Sequence, residues 1–422
     1  MPIVNINECI EESPVSFRSS ITSDKICAGN SNGTAVCRGD SGGGLMFTAT
    51  LQGNQQNFLY GIVSTSPTSN DNCNIFTWAT FTHVSRHERF IKSLVPDVDR
   101  FCFKDTVTGQ PDFRFGETSC FAASTDWQNK PHHASGGRRA EYREAPWHAG
   151  IYKKTTKPYL QICGGTVVSK EAVLTAAHCF SKDRMIPPAS DYAVGAGKIY
   201  RPWNNPQDTG AQLTDVVAVK IPPRYQGSEA NFQDDIAVVI VYIWFAFDGY
   251  VVPACVNFNP DFDELQLKEG EVGKFVGWGQ TGANTASSQV LQVVNLPNVP
   301  IETCIVESPP SFRSAITGDK ICAGYHNGTA VCHGDSGGGL VFSGKVNNYS
   351  RRFLRGVAST SPPDENSCNI YTWATFTHVL RHEHFIKSVV PDIEEACDEL
   401  ATFGVNPWQA DPGRCKCSCL CK

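Results

Sequence analysis

The chain alternates short runs of apolar and β-branched residues with turn-forming residues. YAVGAGKIY (192–200) and KFVGWG (274–279) are examples, and helical periodicity is scarce. Runs of this kind predict strands joined by tight turns, for which the chain has 36 glycines and 25 prolines. We therefore predict an all-β fold, with a terminal helix near RHEHF (381–385).

The longest apolar run is IAVVIVYIWFAF (236–247). It is too short to cross a bilayer, so it predicts a buried strand, and we expect no membrane segment. The amino terminus, MPIVNINECIEES, has no signal-peptide pattern.

A long repeat divides the chain. AVCRGDSGGGLMF (35–47) returns as AVCHGDSGGGLVF (330–342), and five cysteine pairs are also 295 positions apart, for example Cys37 and Cys332. Residues 1–102 therefore duplicate about 296–397. Residues 103–133 are polar and contain proline, which predicts a linker, and residues 134–295 occur once.

Charge and cysteine content restrict the class of protein. The net charge of −6 gives no overall basic field, so we expect no nucleic-acid partner. Eighteen cysteines are too many for a reduced cytosolic protein, and they indicate a disulfide framework and secretion.

The second repeat carries a candidate nucleophile. Ser336 lies in GDSGGG, where flanking glycines leave a serine exposed and let a substrate approach the backbone. A serine hydroxyl needs a base that is itself oriented by a carboxylate. His178 in LTAAHC and Asp235 in FQDDIAVV are the candidates.

Over residues 134–392 the chain resembles the chymotrypsin-like serine proteases, and in particular the modular serine proteases of insects. The motifs that carry the resemblance are CGGTVVS (163–169), TAAHC (175–179), DIAV (235–238), GWG (277–279), ICAG (321–324) and GDSGG (334–338). The resemblance implies two β-barrels with the active site between them. It gives His178 the role of general base and Asp235 that of its orienting partner, with the amides of Gly334 and Ser336 as the oxyanion hole.

The same resemblance implies a set of disulfides. The pairs are Cys163–Cys179, Cys304–Cys322 and Cys332–Cys368, with Cys120–Cys255 tethering the pro-segment to the protease body; Cys9, Cys27, Cys37 and Cys73 are the equivalents in the first copy. The predicted organisation is a second-barrel half-domain (1–102), a linker or pro-segment (103–133), a protease domain with a C-terminal helix (134–395) and a cysteine-rich tail (396–422).

The first copy has the nucleophile without its partners. Ser41 has the surroundings of Ser336, but no histidine precedes it and no segment before it matches the TAAHC or DIAV motif. One interpretation is that tandem protease genes were joined or truncated in a gene model. The other is a non-catalytic module that docks elsewhere.

The resemblance also implies a zymogen. Counting back from Ala140 and Trp147 places the mature amino terminus at Ala134, with the cut after His133 and with Asp335 pairing the new α-amine. Cleavage after Arg139 is the alternative, but it gives a terminus six residues shorter.

The substrate pocket carries over to Ala330 at its base and to Ser359, Ser361 and Ala374 around it. Ala330 supplies no carboxylate, so we expect an uncharged side chain there, since burying an unpaired cation is costly. The tail CKCSCLCK could bind a soft metal, but a disulfide-linked end is favoured, and no metal or cofactor is predicted.

We therefore expect a secreted endopeptidase of an innate-immune cascade. Its partners would be protein substrates such as downstream zymogens, with serpin-type inhibitors possible. A digestive endopeptidase of the same fold and a non-catalytic adaptor are the alternatives.

Overall fold

The computed structural model describes residues 1–98 and 137–397. The internal gaps fall at 23, 30–35, 38, 52–53, 70–71, 74–76, 96–97, 182–186, 281–285, 327–330, 333, 347–348, 365–366 and 369–370. The chain divides into two compact units, Met1–Pro131 and His132–Lys422.

The first unit is built on a five-stranded antiparallel sheet with the strand order β1-β2-β7-β4-β3. Its strands are β1 (Ile3–Val4), β2 (Lys25–Ala28), β3 (Gly44–Leu51), β4 (Asn54–Thr65) and β7 (Ala79–His83), with a small hairpin of β5 (Thr68–Ser69) and β6 (Asn72–Cys73). Its helices are α1 (Ile6–Glu12), α2 (Val15–Arg18) and α3 (Glu88–Leu94), the last preceded by a 3₁₀ turn at Val84–His87.

In the second unit, six strands form a closed barrel with the order β10-β11-β14-β13-β12-β9. They are β9 (His148–Lys153), β10 (Leu160–Val167), β11 (Ala172–Thr175), β12 (Tyr192–Ala196), β13 (Gln212–Lys220) and β14 (Ala237–Val241). Valines dominate its interior, and short 3₁₀ turns lie at Ala177–Cys179, Ala189–Asp191 and Gly227–Ala230.

A second barrel closes in the order β15-β18-β19-β22-β17-β16, because β16 also pairs with β15. Its strands are β15 (Val272–Gly277), β16 (Gln292–Val299), β17 (Lys320–Ala323), β18 (Gly339–Val346), β19 (Tyr349–Thr360) and β22 (Ala374–His378), and β8 (Arg138–Arg139) adds to the edge of β16. A small hairpin joins β20 (Pro363–Asp364) and β21 (Ser367–Cys368). The predicted all-β double-barrel fold is confirmed.

Helices are few among the described residues of this unit. They are α4 (Pro260–Gln266), α5 (Ile301–Glu307) and α6 (Glu383–Val389), with 3₁₀ turns at Arg313–Ala315, Val379–His382 and Glu395–Cys397. Asn259 caps α4 by accepting from the amide of Phe262 at 2.9 Å. The segment RHEHF spans the start of α6, as the sequence predicts.

The two repeats fold alike in their shared strands. Lys25 pairs with Thr82 across β2 and β7, and Lys320 pairs with Thr377 in the same register. The first unit has no strand that matches β15, so its sheet does not close within the described residues.

Apolar side chains of the first sheet are more exposed than their equivalents in the second barrel. Met46 is 50% exposed and Leu59 44% exposed, whereas their equivalents Val341 and Leu354 are fully buried. In the second unit, Val341 and Leu354 share a core with first-barrel residues such as Leu174. A face that is interior in the second copy is therefore solvent-exposed in the first.

The apolar run at 236–247 is only partly the buried strand that its composition predicts. Strand β14 ends at Val241, and Tyr242, Ile243 and Trp244 are exposed in the turn that follows. No helix in the described part of the chain has the length and apolar character needed to span a membrane.

Disulfides join Cys9 to Cys27, Cys163 to Cys179, and Cys304 to Cys322. Cys37 and Cys332 are also disulfide-bonded, but the side chains of Cys73 and Cys368 lie outside the described set.

The predicted tether from Cys120 to Cys255 is wrong. Cys255 is bonded to Cys397, with their Cα atoms 5.3 Å apart. The reason is packing after α6: Glu394 accepts from the amide of Phe258 at 3.1 Å, and this contact brings the 3₁₀ turn at Glu395–Cys397 beside Cys255. Cys120 lies outside the described residues.

Candidate active site

A histidine and an aspartate meet at the mouth of the first barrel. His178 lies in the 3₁₀ turn after β11, and Asp235 lies just before β14. His178 Nδ1 is 2.8 Å from Asp235 Oδ2, and the backbone amide of His178 donates to Asp235 Oδ1 at 2.9 Å. The carboxylate thus fixes both the ring and the backbone of this histidine.

Two second-barrel hydroxyls contact Asp235, a role that the sequence does not predict for either of them. Ser359 Oγ donates to Asp235 Oδ2 at 2.6 Å, and Thr377 Oγ1 donates to the Asp235 carbonyl at 2.8 Å. Ser359 was predicted to line the substrate site, and its hydroxyl is turned to the aspartate. Thr377 lies on β22, the strand that pairs with β19, and no short motif marks it in the sequence.

Electrostatics couple the histidine and the aspartate. Burial opposes the charged imidazolium, but the Asp235 carboxylate outweighs it and raises the pKa of His178 above its ordinary value. Burial likewise opposes the charged Asp235, but His178 and then Lys320 hold the pKa of that carboxyl below its usual range. The pair therefore favours an ionised Asp235 beside a histidine that can accept a proton.

Ser336 lies on a turn that docks against the first barrel. Its carbonyl accepts from the amide of Gly164 at 2.8 Å, and Thr175 Oγ1 donates to the Gly164 carbonyl at 2.7 Å. Thr175 is three residues before His178, so this chain of contacts brings the half-buried serine to the histidine's end of β11. Next to it, Gly337 has a φ of +78° and no room for a Cβ.

The predicted oxyanion-hole residue Gly334 also has a left-handed backbone, with a φ of +94°. Its carbonyl accepts from Gln161 Nε2 at 3.3 Å. This bond turns the carbonyl towards the first barrel and fixes the peptide plane two residues before Ser336.

Asp335 is buried behind the turn. Its two carboxylate oxygens accept from the amides of Gly279 at 2.8 Å and Cys332 at 3.1 Å. No described basic side chain forms an ion pair with it, and burial raises its pKa to about 7 although the two amides oppose this. The site therefore has the properties of a receptor for an additional cation.

The segment after the predicted amino terminus is already docked. Arg138 and Arg139 pair with β16, and the amide of Ala140 donates to the Leu291 carbonyl at 2.8 Å. Ala140 is buried in an apolar cluster with Trp278. His133 and Ala134 lie outside the described residues.

The predicted pocket is described in part. Ala374 is buried on β22, and Ser361 is half-buried just after β19. Ala330, the predicted base, lies outside the described residues, as do the side chains of the loop before Cys368.

Among the described residues, which do not include the CKCSCLCK tail, two groups of side chains have metal-ligand chemistry. In the first, Cys163 and Cys179 flank His178, but their sulfurs are joined in a disulfide and supply no thiolate. In the second, Asp234, Asp319 and His382 are buried together. The ammonium of Lys320 lies 3.3 Å from Asp319 and the guanidinium of Arg224 lies 3.6 Å from Asp234, so the acids are already neutralised.

Comparison with known proteins agrees with this geometry. The trypsin family model matches residues 1–91 and 134–381. The chain belongs to the trypsin family of chymotrypsin-like serine proteases. Both copies of the repeat are therefore trypsin-family sequence, and only the second is accompanied by a first barrel among the described residues.

Three relatives of this trypsin-family chain are proteins of Drosophila melanogaster and Tachypleus tridentatus. It is 29% identical over 263 residues to the modular serine protease of Drosophila melanogaster, covering 60% of this chain and 40% of that protein. It is 32% identical over 238 residues to clotting factor C of Tachypleus tridentatus, covering 54% of this chain and 22% of that protein. It is 28% identical over 302 residues to melanization protease 1 of Drosophila melanogaster, covering 68% of this chain and 72% of that protein. The chain thus spans less than half the length of the first two.

Proposed function

We propose that this protein is a secreted serine endopeptidase that cleaves peptide bonds through an acyl-enzyme. Ser336 is the nucleophile, His178 the general base and Asp235 its orienting partner. The observation that carries the proposal is the His178–Asp235 pair at 2.8 Å, with Ser336 anchored on Gly164 beside it. His178 takes the proton from Ser336 Oγ as it attacks the peptide carbonyl and returns it to the leaving amine.

The enzyme is made as a zymogen. Asp335 supports this part of the proposal, because its buried carboxylate has amide partners and no described basic side chain as counter-charge. An α-amine freed by a cut after His133 would supply that charge, order the turn at Gly334 and complete the oxyanion hole.

The enzyme acts in an extracellular innate-immune cascade, cleaving other zymogens. The support is the names of the relatives, a clotting factor and a melanization protease. One observation favours the digestive alternative. A Cys120–Cys255 tether would have favoured a regulatory protease, but Cys255 is bonded to Cys397. Secretion is supported by the disulfides, which form in oxidising compartments.

Fluorophosphonate labelling of the cut protein tests the chemistry. We expect a single label on Ser336, which His178→Ala prevents, while an unlabelled Ser336 in correctly cut protein would rule out the enzyme. To separate cascade from digestion, the labelled enzyme is compared on folded protease precursors and on casein. A cascade enzyme cuts one bond in a precursor and leaves casein largely intact, whereas a digestive enzyme degrades both.

A further inference from the structure

The backbone just before Asp235 is strained. Asn231, Phe232 and Asp234 have φ values of +52°, +55° and +56°. Left-handed conformations are uncommon for residues other than glycine, and a bulky residue such as phenylalanine is a true outlier. A run of three within four positions persists only when the surroundings hold it.

A group of buried side chains from the second barrel holds this segment. Lys320 Nζ donates to the Phe232 carbonyl at 2.7 Å, and Asp319 Oδ2 accepts from the amide of Asp234 at 2.9 Å. The side chains of Lys320 and Asp319 have no solvent exposure. His382 completes the group, with Nε2 at 3.3 Å from Asp319 and Nδ1 at 3.6 Å from Asp234. We call Asp319, Lys320 and His382 the socket.

The socket also reaches Asp235 directly. Lys320 Nζ donates to Thr377 Oγ1 at 3.0 Å, and Thr377 Oγ1 donates in turn to the Asp235 carbonyl at 2.8 Å. Lys320 is therefore hydrogen-bonded to the strained segment on one side and, through one hydroxyl, to the aspartate on the other.

The first copy of the repeat shows that the socket needs no first barrel to form. Lys25 Nζ donates to Thr82 Oγ1 at 2.7 Å, and His87 Nε2 lies 3.3 Å from Asp24 Oδ2. These residues are the equivalents of Lys320, Thr377, His382 and Asp319, and they keep the same contacts within the first unit, whose described strands include no first barrel. The second-barrel half therefore preforms these contacts.

We propose that the socket is a positioning device for the catalytic pair: it selects the left-handed form of residues 231–234 and so fixes where Asp235 holds His178. The inference rests on the proposed catalytic roles of these two residues. Lys320 is its central positioning residue, because it alone contacts both the segment and Thr377.

A charge effect accompanies the positioning. The cation of Lys320 lowers the pKa of His178. Burial lowers the same pKa more strongly, and the Asp235 carboxylate raises it. The other charged or titratable groups around Lys320 are Asp319, His382, Asp234 and, beyond it, Arg224. Removing the Lys320 charge should therefore raise the pKa of His178.

The test compares Lys320→Met and Lys320→Gln in the cut full-length protein, with active sites counted by fluorophosphonate titration. Methionine removes both the hydrogen bonds and the charge, so kcat should fall ten- to hundredfold, as for a small misplacement of a catalytic group, and the acidic limb of kcat/KM should move to higher pH. Glutamine can still donate to the Phe232 carbonyl, so it should keep more of kcat and show the same move of the limb. If the methionine variant does not fold, the glutamine variant alone still tests the inference through the position of the acidic limb.

Lys25→Met is the matched control, because it disrupts the same arrangement in the first copy. It should leave kcat and the acidic limb at the wild-type values. Titrated Lys320 variants with wild-type kcat and an unmoved limb would overturn the inference. Wild-type protein that takes no label would instead count against the proposed function, so the two failures are distinguishable.

Discussion

The amide of Gly164 donates to the carbonyl of Ser336 at 2.8 Å, and this bond joins the first barrel to the turn that carries the nucleophile. Gly164 lies on β10, and its carbonyl accepts a hydrogen bond from the hydroxyl of Thr175 on β11. The position of Ser336 is therefore set by the barrel that supplies His178. The proposed active site depends on this contact between barrels as much as on the side chains of the triad.

Gly337→Ala tests that contact. A Cβ at this position would overlap Thr175 Oγ1 and the Gly164 carbonyl oxygen, so we expect a loss of amidase activity of about 100-fold or more. Gly42→Ala is the control, since Gly42 has a similar φ of +86° but open space around it. It should cost the first unit about 1–2 kcal/mol of stability for its backbone conformation and leave activity unchanged. Equal activities of the two variants would contradict the assigned contact.

Ser336→Ala should abolish amidase activity, whereas Ser41→Ala should not change it. Ser336 lies on a turn that is hydrogen-bonded to Gly164 of the barrel that supplies His178 and Asp235, whereas the described part of the first unit includes no first barrel. Loss of a triad member typically lowers kcat by about 10⁴- to 10⁶-fold. A chromogenic peptide assay with both purified variants measures this. Activity lost on changing Ser41 alone, in folded protein, would show that the first copy takes part in catalysis.

A cut after His133 should raise activity sharply, and a cut only after Arg139 should not. A terminus at Ala134 has four residues, about 14 Å of extended chain, with which to reach Asp335 from Arg138, where β8 begins. A terminus at Ala140 would lie in the apolar cluster with Trp278. Amino-terminal sequencing of active enzyme decides: ASGGRRA supports the assignment, and AEYREAP excludes it.

Asp335 should contribute a loss of stability to the uncut protein as pH rises from about 4 to about 7. Asp335 has a folded pKa of about 7 and an unfolded one of about 4. Between these values the folded state holds a proton that the unfolded state has released, so unfolding becomes easier as pH rises, by at most about 4 kcal/mol. An inserted α-ammonium would pair with the carboxylate and remove this loss. The difference in Tm between cut and uncut protein should therefore be larger at pH 7.5 than at pH 4.5.

The Asp335 prediction has an internal control. Uncut Asp335→Asn should lack this part of the pH dependence, because its side chain does not ionise. If cutting changes Tm equally at the two pH values, the proposed ion pair is not formed.

The cut enzyme should prefer an uncharged residue before the scissile bond over arginine or lysine. Ala330 gives no counter-charge to a buried guanidinium, whereas an apolar side chain gains about 25 cal/mol for each Å² buried. Peptides varied only at that position measure the preference. An arginine-selective profile would mean that Asp364 or Glu365 supplies the missing acid.

The barrels and the His178–Asp235 pair were readable from the sequence because their signals are local. TAAHC, DIAV and GDSGG are short motifs, and strands follow from apolar runs. The partner of Cys255 was missed because disulfide connectivity depends on tertiary packing, here that of the 3₁₀ turn at Glu395–Cys397 after α6. The exposure of Tyr242–Trp244 was missed because periodicity alone does not show where a strand ends. Thr377 and Lys320 were missed because neither belongs to a motif, and their roles arise only where the two barrels meet.

The open face of the first unit has a practical consequence for handling the protein. Met46, Leu59, Phe90 and Leu94 are exposed together with the free edge of β3, and an unpaired edge next to apolar side chains favours aggregation. Purified full-length chain should therefore form light-scattering particles at lower concentration than the same chain with Leu59→Lys and Phe90→Lys. Lysine at positions 59 and 90 would restore colloidal stability without touching any residue of the protease domain.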